Sequence, residues 1–500
     1  MVQAETEPQN DPKAGPESDA SGPQSGPGSN RKGKGLAPKS AVRRELARAA
    51  FDLAIAPLFG VPYLVRRNAL ERKLTQELKN PATPLVPPRT DLGKRRITIF
   101  VSAAEHSGEV HALSAVRALK QEFAQQGAPE PRFIGLGAKR LKEEGVEIVG
   151  DPIAQAAMGA DVLKALPFYM ELLRKCASVF RDERPDLLFP VDSPALHVPL
   201  ARIAKRYGVP VVHYVTPQYW AWAPWRVRGY RQVVDLGLTI LPFEPPWFAR
   251  HGVTTRFVGH PQMDQLAARV AIGSSAEENG RQKLLLLPGS RRVVIRRNLP
   301  WMLRCVQKLW QKDRDIKVLL AHDDAEHEEL FRSICSQEGV TLFTREEPPK
   351  NSTGEIELQL GDLHASLQEA RAALSVSGTV LLDLLHHRIP TAVVYRIDSP
   401  WSAALYRRVL TVPWFSSVNL LTAKETLPEW CFAGEGPIDE VAGRLESFLH
   451  DPKERAQVRS DLDEAAQRLG TQGASKRAAQ WALAFLGGGL LGQEQARSPV

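Results

Sequence analysis

Short apolar runs alternate with segments of helical period twice over along this chain, and that rhythm restricts the fold more than any other feature. The first series opens at "RRITIFVSA", a buried-type strand, followed by "EHSGEVHALSAVRALKQEF", whose apolar residues recur at helical spacing. "PRFIGLGA", "PDLLFPVDSP", "GVPVVHYVTP", "LGLTILPF" and "TTRFVGHP" read as further strands, most of them separated by helical stretches. Parallel βαβ units require that order. After the polar segment "AIGSSAEENGRQ" the second series begins: "KLLLLPGS" leads to a helix over Leu299 to Trp310, then "IKVLLAHD", "VTLFTR", "RAALSVSGT" and "PTAVVYRI". We expect an α/β protein of two doubly wound domains, 96–262 and 278–450, around a cleft, with a hinge near 262–280. Helices at 451–486 and a flexible tail at 487–500 follow. No repeat of 20 to 50 residues is apparent.

Five hundred residues is too long for one ordinary domain, and 43% hydrophobic with 24% charged residues is a globular composition. The net charge of +8, with a pI near 9.2, suits anionic partners. The basic residues form no single stripe, which disfavours nucleic acid. Four scattered cysteines without a CxxC pair suggest neither zinc nor disulfides and fit a reducing cytosol. Residues 1–45 begin with a Pro-, Gly- and Ser-rich run and read as a disordered tail. Residues 46–92 read as amphipathic. Their longest apolar stretch, Leu53 to Val65, has 13 residues and two prolines, too short for a bilayer crossing of about 20. Flanked by arginines, it suits an interfacial membrane anchor or a helical arm packed on the globular part. Both readings stay open.

In open α/β sheets, ligands sit at the carboxyl ends of strands, so the turns there are the candidate site. After "KLLLL" come Gly289, Ser290 and Arg291: exposed N–H groups, a helix start and a guanidinium suit phosphate, with a plain solvated turn as the alternative. Ser377, Gly378 and Thr379 make a second such turn, and Asp383, one helical turn beyond Thr379, can accept from ribose hydroxyls. In the first half, Glu105 lies in a Gly-bearing turn where a carboxylate suits a sugar hydroxyl better than phosphate; the alternative is a capping cluster around Ser107 and Glu109. Asp192 in "FPVDSP" sits past an apolar strand on a turn stiffened by Pro194, a place for a general base, or for an Asx cap. The aromatics Tyr214, Tyr219, Trp220, Trp222 and Trp225 suggest a ligand- or partner-facing wall. His386 and His387 read as surface residues. There is no GxxxxGK[ST] and no HExxH, and no metal ligand set is apparent.

Together these segments resemble the lipid A disaccharide synthases. "HYVTPQYWAW", "LPFEPPWFARHGV", "FVGHPQMD", "LLLLPGSRR", "SGTVLLDLL" and "VPWFSSVNLLTAKETLPE" come in that family's order, and "AAEHSGEVH" and "RPDLLFPVDSP" are similar to two more of its motifs. The likeness runs from about Ile97 to about Leu486. It implies the GT-B glycosyltransferase fold: a Rossmann-like acceptor domain, then a Rossmann-like UDP-sugar domain. It also implies an inverting transfer of 2,3-diacylglucosamine from UDP to the 6-hydroxyl of 2,3-diacylglucosamine 1-phosphate (lipid X), without metal or other cofactor, at the cytoplasmic face of the inner membrane. Asp192 matches the base and Glu105 an active-site acid. Gly289, Ser290, Arg291, Ser377, Gly378, Thr379, Asp383 and Asn419 match nucleotide-site positions. The chain departs from the family at Asp383, where Glu is usual, at Ala195–Leu196–His197 in place of Asp-Phe-Asn, at Lys424 for Arg and at Phe432 for Gln. A homodimer is left open. So are two other functions: another GT-B UDP-sugar enzyme (on a polyprenyl-linked acceptor, or an epimerase), and a catalytically silent UDP-sugar or lipid-binding homologue.

Overall fold

A computed structural model describes residues 37–157, 162–267, 283–347, 354–397, 399, 408–470 and 472–488. The first lobe is a sheet of seven parallel strands: β1 (Thr98–Ala103), β2 (Arg132–Leu136), β3 (Glu147–Gly150), β4 (Leu187–Val191), β5 (Val212–Tyr214), β6 (Leu236–Thr239) and β7 (Thr255–Phe257). Their spatial order is β3-β2-β1-β4-β5-β6-β7. The second lobe repeats the plan with β8 (Lys283–Leu287), β9 (Lys317–His322), β10 (Thr341–Phe343), β11 (Glu355–Leu360), β12 (Ala370–Val376), β13 (Thr391–Ile397) and β14 (Glu429–Ala433), ordered β10-β11-β9-β8-β12-β13-β14. In each sheet the chain fills one side of a central strand, returns, and builds the other way, with β11 entering between β9 and β10 in the second. The order therefore reverses between β1 and β4, and between β8 and β12. Those crevices are where an open sheet holds its ligand.

The expected strands form because their side chains are covered on both faces: every residue of β4 is buried, as are the four leucines of β8. Each such leucine contributes about 1.5–3 kcal/mol by leaving water. Three strands, β3, β11 and β14, were not foreseen. β3 and β14 are edges with half-buried side chains, so neither shows a continuous apolar run. β11 carries the buried Glu355 and Glu357, and Glu357 is neutralised by Lys283 and Arg345, which also bridge to Glu369.

Other boundaries move as well. The helix after β8 runs over Arg292–Lys312, seven residues earlier than expected, so it starts directly at the glycine-bearing turn. A 41-residue helix, Pro38–Leu78, begins inside the segment read as tail. Its buried Glu45 pairs with Arg202 at 2.9 Å and Arg206 at 2.6 Å. Further along, Tyr63 packs edge-on against Trp225 and Arg67 donates to the Leu410 carbonyl at 2.8 Å. The packed-arm reading therefore holds for both ends of this helix, while Phe51, Leu58 and Val65 stay 61%, 71% and 82% exposed. Among the described residues no helix is long and apolar enough to cross a membrane. Of the hinge expected near 262–280, residues 262–267 belong to the helix Pro261–Ala267 and the rest lies outside the described residues, as do the tail through residue 36 and the stretch 489–500.

The carboxy-terminal helices divide between the lobes. Pro452–Leu469 packs on the second, where Arg468 donates to the Leu421 carbonyl at 3.0 Å. Ala474–Leu486 returns to the first and lies along the helix His106–Gln125. Its start is fixed by Asp264, whose carboxylate accepts from the backbone N–H groups of Gly473, Ala474 and Ser475 at 2.5, 3.0 and 2.8 Å.

Candidate active site

Both crevices carry polar chemistry, of opposite kinds. In the second lobe a cavity of about 390 Å³ opens over the ends of β8, β9, β12 and β13. Seven of the eight residues expected at a nucleotide site line it: Gly289, Ser290 and Arg291 after β8, and Ser377, Gly378, Thr379 and Asp383 after β12. Gly289 is required where it stands. Its φ is +109°, and a Cβ there would lie 2.6 Å from Cγ1 of Val294. Arg291 is the N-cap of Arg292–Lys312, so the positive end of a 21-residue helix adds to its guanidinium charge. His322 and Asp323, at the end of β9, also line the cavity. Nothing in the sequence singled them out except their place after an apolar strand.

Asn419 is not brought to the cavity. It is fully buried: its amide donates to the Leu427 carbonyl at 2.7 Å and to Glu429 at 3.1 Å, and its oxygen accepts from the Thr426 and Leu427 N–H groups. Its influence is indirect. Glu429 also accepts from the Phe415 and Ser416 N–H groups at 2.9 Å each, and the Phe415 carbonyl accepts from Ser377 Oγ at 3.1 Å. Asn419 thus braces the loop on which the second turn rests. Asp383 is engaged from the other lobe, accepting from Gln262 Nε2 at 2.6 Å.

In the first lobe, Glu105 follows β1 and Asp192 follows β4, on either side of the crevice. Asp192 and Ser193 have φ of 58° and 44°, left-handed values that non-glycine residues adopt only when their surroundings impose them. Pro194 does keep Ser193 from the right-handed helical region, though into the left-handed region rather than an extended one. Burial pushes the Asp192 carboxyl above its usual range, and the charge of Glu105 pushes it further; the Ser193 N–H works against both. A base poised in this way is what a proton transfer near neutrality needs. Glu105, not Ser107, is the N-cap of His106–Gln125, and its carboxylate makes no capping bond, which leaves it at the crevice. Glu109 is buried instead, accepting from the Ala138 N–H at 2.8 Å.

The aromatic cluster is mostly core, contrary to the sequence reading: Tyr214, Tyr219 and Trp220 are buried, and only Trp222 is exposed. Trp220 Nε1 donates to the buried Glu244 at 3.0 Å, and Glu244 also accepts from the Ile240 and Leu241 N–H groups, so the loop is pinned to the end of β6. Thr411 in turn donates through Oγ1 to the Trp220 carbonyl at 2.6 Å. His387 is fully buried and His386 half-buried, so neither is a surface residue.

Two parallel-sheet lobes in tandem, one with a glycine-bearing turn over a cavity and the other with a carboxylate pair in its crevice, have the GT-B architecture of nucleotide-sugar enzymes. The lipid-A-disaccharide synthetase family model matches residues 99–485. The chain is 30% identical to the lipid-A-disaccharide synthase of Geobacter sulfurreducens over 395 residues, 78% of this chain and 97% of that protein. It is 32% identical to that of Myxococcus xanthus over 395 residues, with the same shares. A putative UDP-N-acetylglucosamine 2-epimerase structure from Listeria monocytogenes superposes with a TM-score of 0.53 at 14% identity, over 81% of this chain and 99% of that one; what the two share is the fold. The chain belongs to the lipid-A-disaccharide synthase family. It is a glycosyltransferase that condenses UDP-2,3-diacylglucosamine with lipid X to give lipid A disaccharide 1-phosphate and UDP. The epimerase and polyprenyl-acceptor readings give way to that family.

Proposed function

We propose that this condensation runs as an inverting displacement with Asp192 as the base. The lipid X 6-hydroxyl attacks C1 of the donor sugar while Asp192 takes its proton. The C1–O bond to the diphosphate breaks, and the electron pair leaves with UDP. The turns of Gly289–Arg291 and Ser377–Thr379 and the Arg291 guanidinium receive the charge that develops, which is most valuable in a site from which water is excluded. Asp383 accepts from the ribose hydroxyls, and Glu105 holds a sugar hydroxyl and adds to the upward push that burial gives the Asp192 pKa. The observation that carries this reading is the placement of a carboxylate pair at one strand-order reversal and a glycine-bearing cradle at the other. Incubating the full chain with UDP-2,3-diacylglucosamine and lipid X tests it. A β-1,6 disaccharide with one UDP released per bond supports it; an α-linked product would contradict the single displacement.

We further propose that the long amino-terminal helix docks the enzyme on an anionic membrane surface. Arg44, Phe51, Leu58, Val65 and Arg72 recur every seven residues, all exposed, so they share one face that drifts about 20° per heptad. The apolar part spans about 21 Å and has an arginine at each end. Burying three apolar side chains and adding about 1 kcal/mol per arginine suits reversible docking of an enzyme whose substrates carry acyl chains. Tyr63, buried against Trp225, takes no part in that face. Phe51→Asp, Leu58→Asp and Val65→Asp together should cut sedimentation with phosphatidylglycerol vesicles and leave UDP affinity alone. Undiminished sedimentation would show that the lobes dock by themselves.

A further inference from the structure

Beneath Asp192 lies a buried pair of histidines that the proposed reaction does not use. His197 Nδ1 lies 2.5 Å and His213 Nε2 3.0 Å from one atom, the main-chain oxygen of Asp192. A carbonyl oxygen only accepts, so each of those ring nitrogens carries a hydrogen. The opposite nitrogen of each ring then accepts: His197 Nε2 from Ser102 Oγ at 2.8 Å, and His213 Nδ1 from the Tyr230 hydroxyl at 3.2 Å. The two rings stand nearly perpendicular, 5.9 Å apart, and fill both lone-pair directions of the one oxygen. Ser102, His197, His213 and Tyr230 are all buried, and burial drops the histidine pKa values to about 4 and about 3, so both rings are neutral at the pH of any assay near 7. Between them they tie β1, the turn after β4, β5 and the short helix Val227–Tyr230 to a single peptide group.

That peptide group is the one that needs holding. Asp192 and Ser193 are consecutive left-handed residues without glycine, and a polar turn left to itself relaxes out of such a conformation. On the far side the Asp192 N–H donates to the Tyr214 carbonyl at 2.9 Å, so the residue is gripped at both its main-chain polar atoms, while its carboxylate is met by the Ser193 N–H. We propose that His197 and His213 are positioning residues for the reaction. As neutral donors to the Asp192 carbonyl they lock the turn that presents the carboxylate to the acceptor hydroxyl. The inference rests on the reading of Asp192 as the base.

The geometry dictates an unusual rescue pattern. An asparagine amide nitrogen stands near the place of a histidine Nδ1, and a glutamine amide nitrogen near that of Nε2. His197→Asn therefore keeps the donor to Asp192, and His197→Gln does not. At 213 the pattern inverts: His213→Gln keeps the donor and His213→Asn loses it. We expect His197→Ala and His213→Ala to lower kcat about 10- to 100-fold, as a misplacement near 1 Å does, with UDP affinity and the KM for donor unchanged. His197→Asn and His213→Gln should recover most of that loss, and their exchanged partners should not. Circular dichroism on each variant identifies those that fail to fold, and the amide series carries the test if an alanine variant is among them. Folded alanine variants with the parent's kcat would overturn the inference, as would equal rescue by Asn and Gln at both sites, which would mark simple space filling. If Asp192→Asn itself keeps full turnover, it is the reading of the base that fails, and the two failures are told apart.

Discussion

Replacing Gly289 with alanine asks whether the turn after β8 is the phosphate cradle. The new Cβ meets Val294 Cγ1 at 2.6 Å and Val376 Cγ2 at 3.3 Å, where ordinary contact begins near 3.4 Å. The turn, the first turn of the helix Arg292–Lys312, or both must give by nearly an ångström. At φ of +109° an L residue adds about 1–3 kcal/mol of backbone strain. Together these favour a displaced turn whose N–H groups no longer converge. A hydrogen bond to a charged group is worth about 1.5–3 kcal/mol, so losing one weakens UDP binding about 10- to 150-fold. Titration calorimetry with UDP on the full chain measures this, with thermal unfolding as the check that only the turn has moved. Val294→Ala added to Gly289→Ala removes the 2.6 Å clash but not the φ strain, and should restore part of the affinity. A Gly289→Ala protein that binds UDP within twofold of the parent would refute the assignment of this turn to phosphate.

Arg291→Ala should lower kcat/KM by about 2–4 kcal/mol of lost charge stabilisation with the fold intact; a variant that turns over like the parent would reduce Arg291 to a surface residue. Glu105→Gln removes a charge that raises the Asp192 pKa, so the base stays ionised to lower pH and the acid limb of kcat/KM should shift downward. An unmoved limb in the pH profile would separate the two carboxylates. Stability should fall as pH drops below 6.5. His111, His197, His213 and His260 have folded pKa values of about 4, 4, 3 and 3, below their unfolded value, so they take up protons only on unfolding. Glu77, Glu244 and Glu429, raised to about 7 by burial, act the opposite way between about 4.5 and 7. Four histidines against three glutamates leave a net loss of about 1 kcal/mol per pH unit near pH 5.5, readable as a falling thermal midpoint.

Much of this architecture is legible in the sequence because parallel strands buried on both faces must be runs of apolar residues. "KLLLL" and "PDLLFPV" announce themselves for that reason. β3 and β14 do not, since an edge strand needs only one covered face. β11 hides because its buried Glu357 is neutralised by Lys283 and Arg345, which lie 74 and 12 residues away in the chain. The polar turns were visible as turns. That Glu105 and Asp192 share one crevice was not, because strand order is a long-range property that no local pattern encodes. Asn419 was matched by motif alone, and the motif does not say whether an amide faces a ligand or braces a loop. Of the histidines under Asp192, His197 shows only as a departure from a family motif, and His213 carries no local signal. They matter through one carbonyl oxygen, and only the fold brings both rings to it.

The most direct test of the account is the Asp192→Asn variant, assayed with UDP-2,3-diacylglucosamine and lipid X beside calorimetric UDP binding. Asn keeps the shape of the side chain and removes its ability to take a proton. The account predicts a kcat lower by about 100-fold or more, with UDP affinity and thermal midpoint held near those of the parent. Turnover at the parent's rate would contradict it, because the proton of the acceptor hydroxyl would then have left by way of some other group.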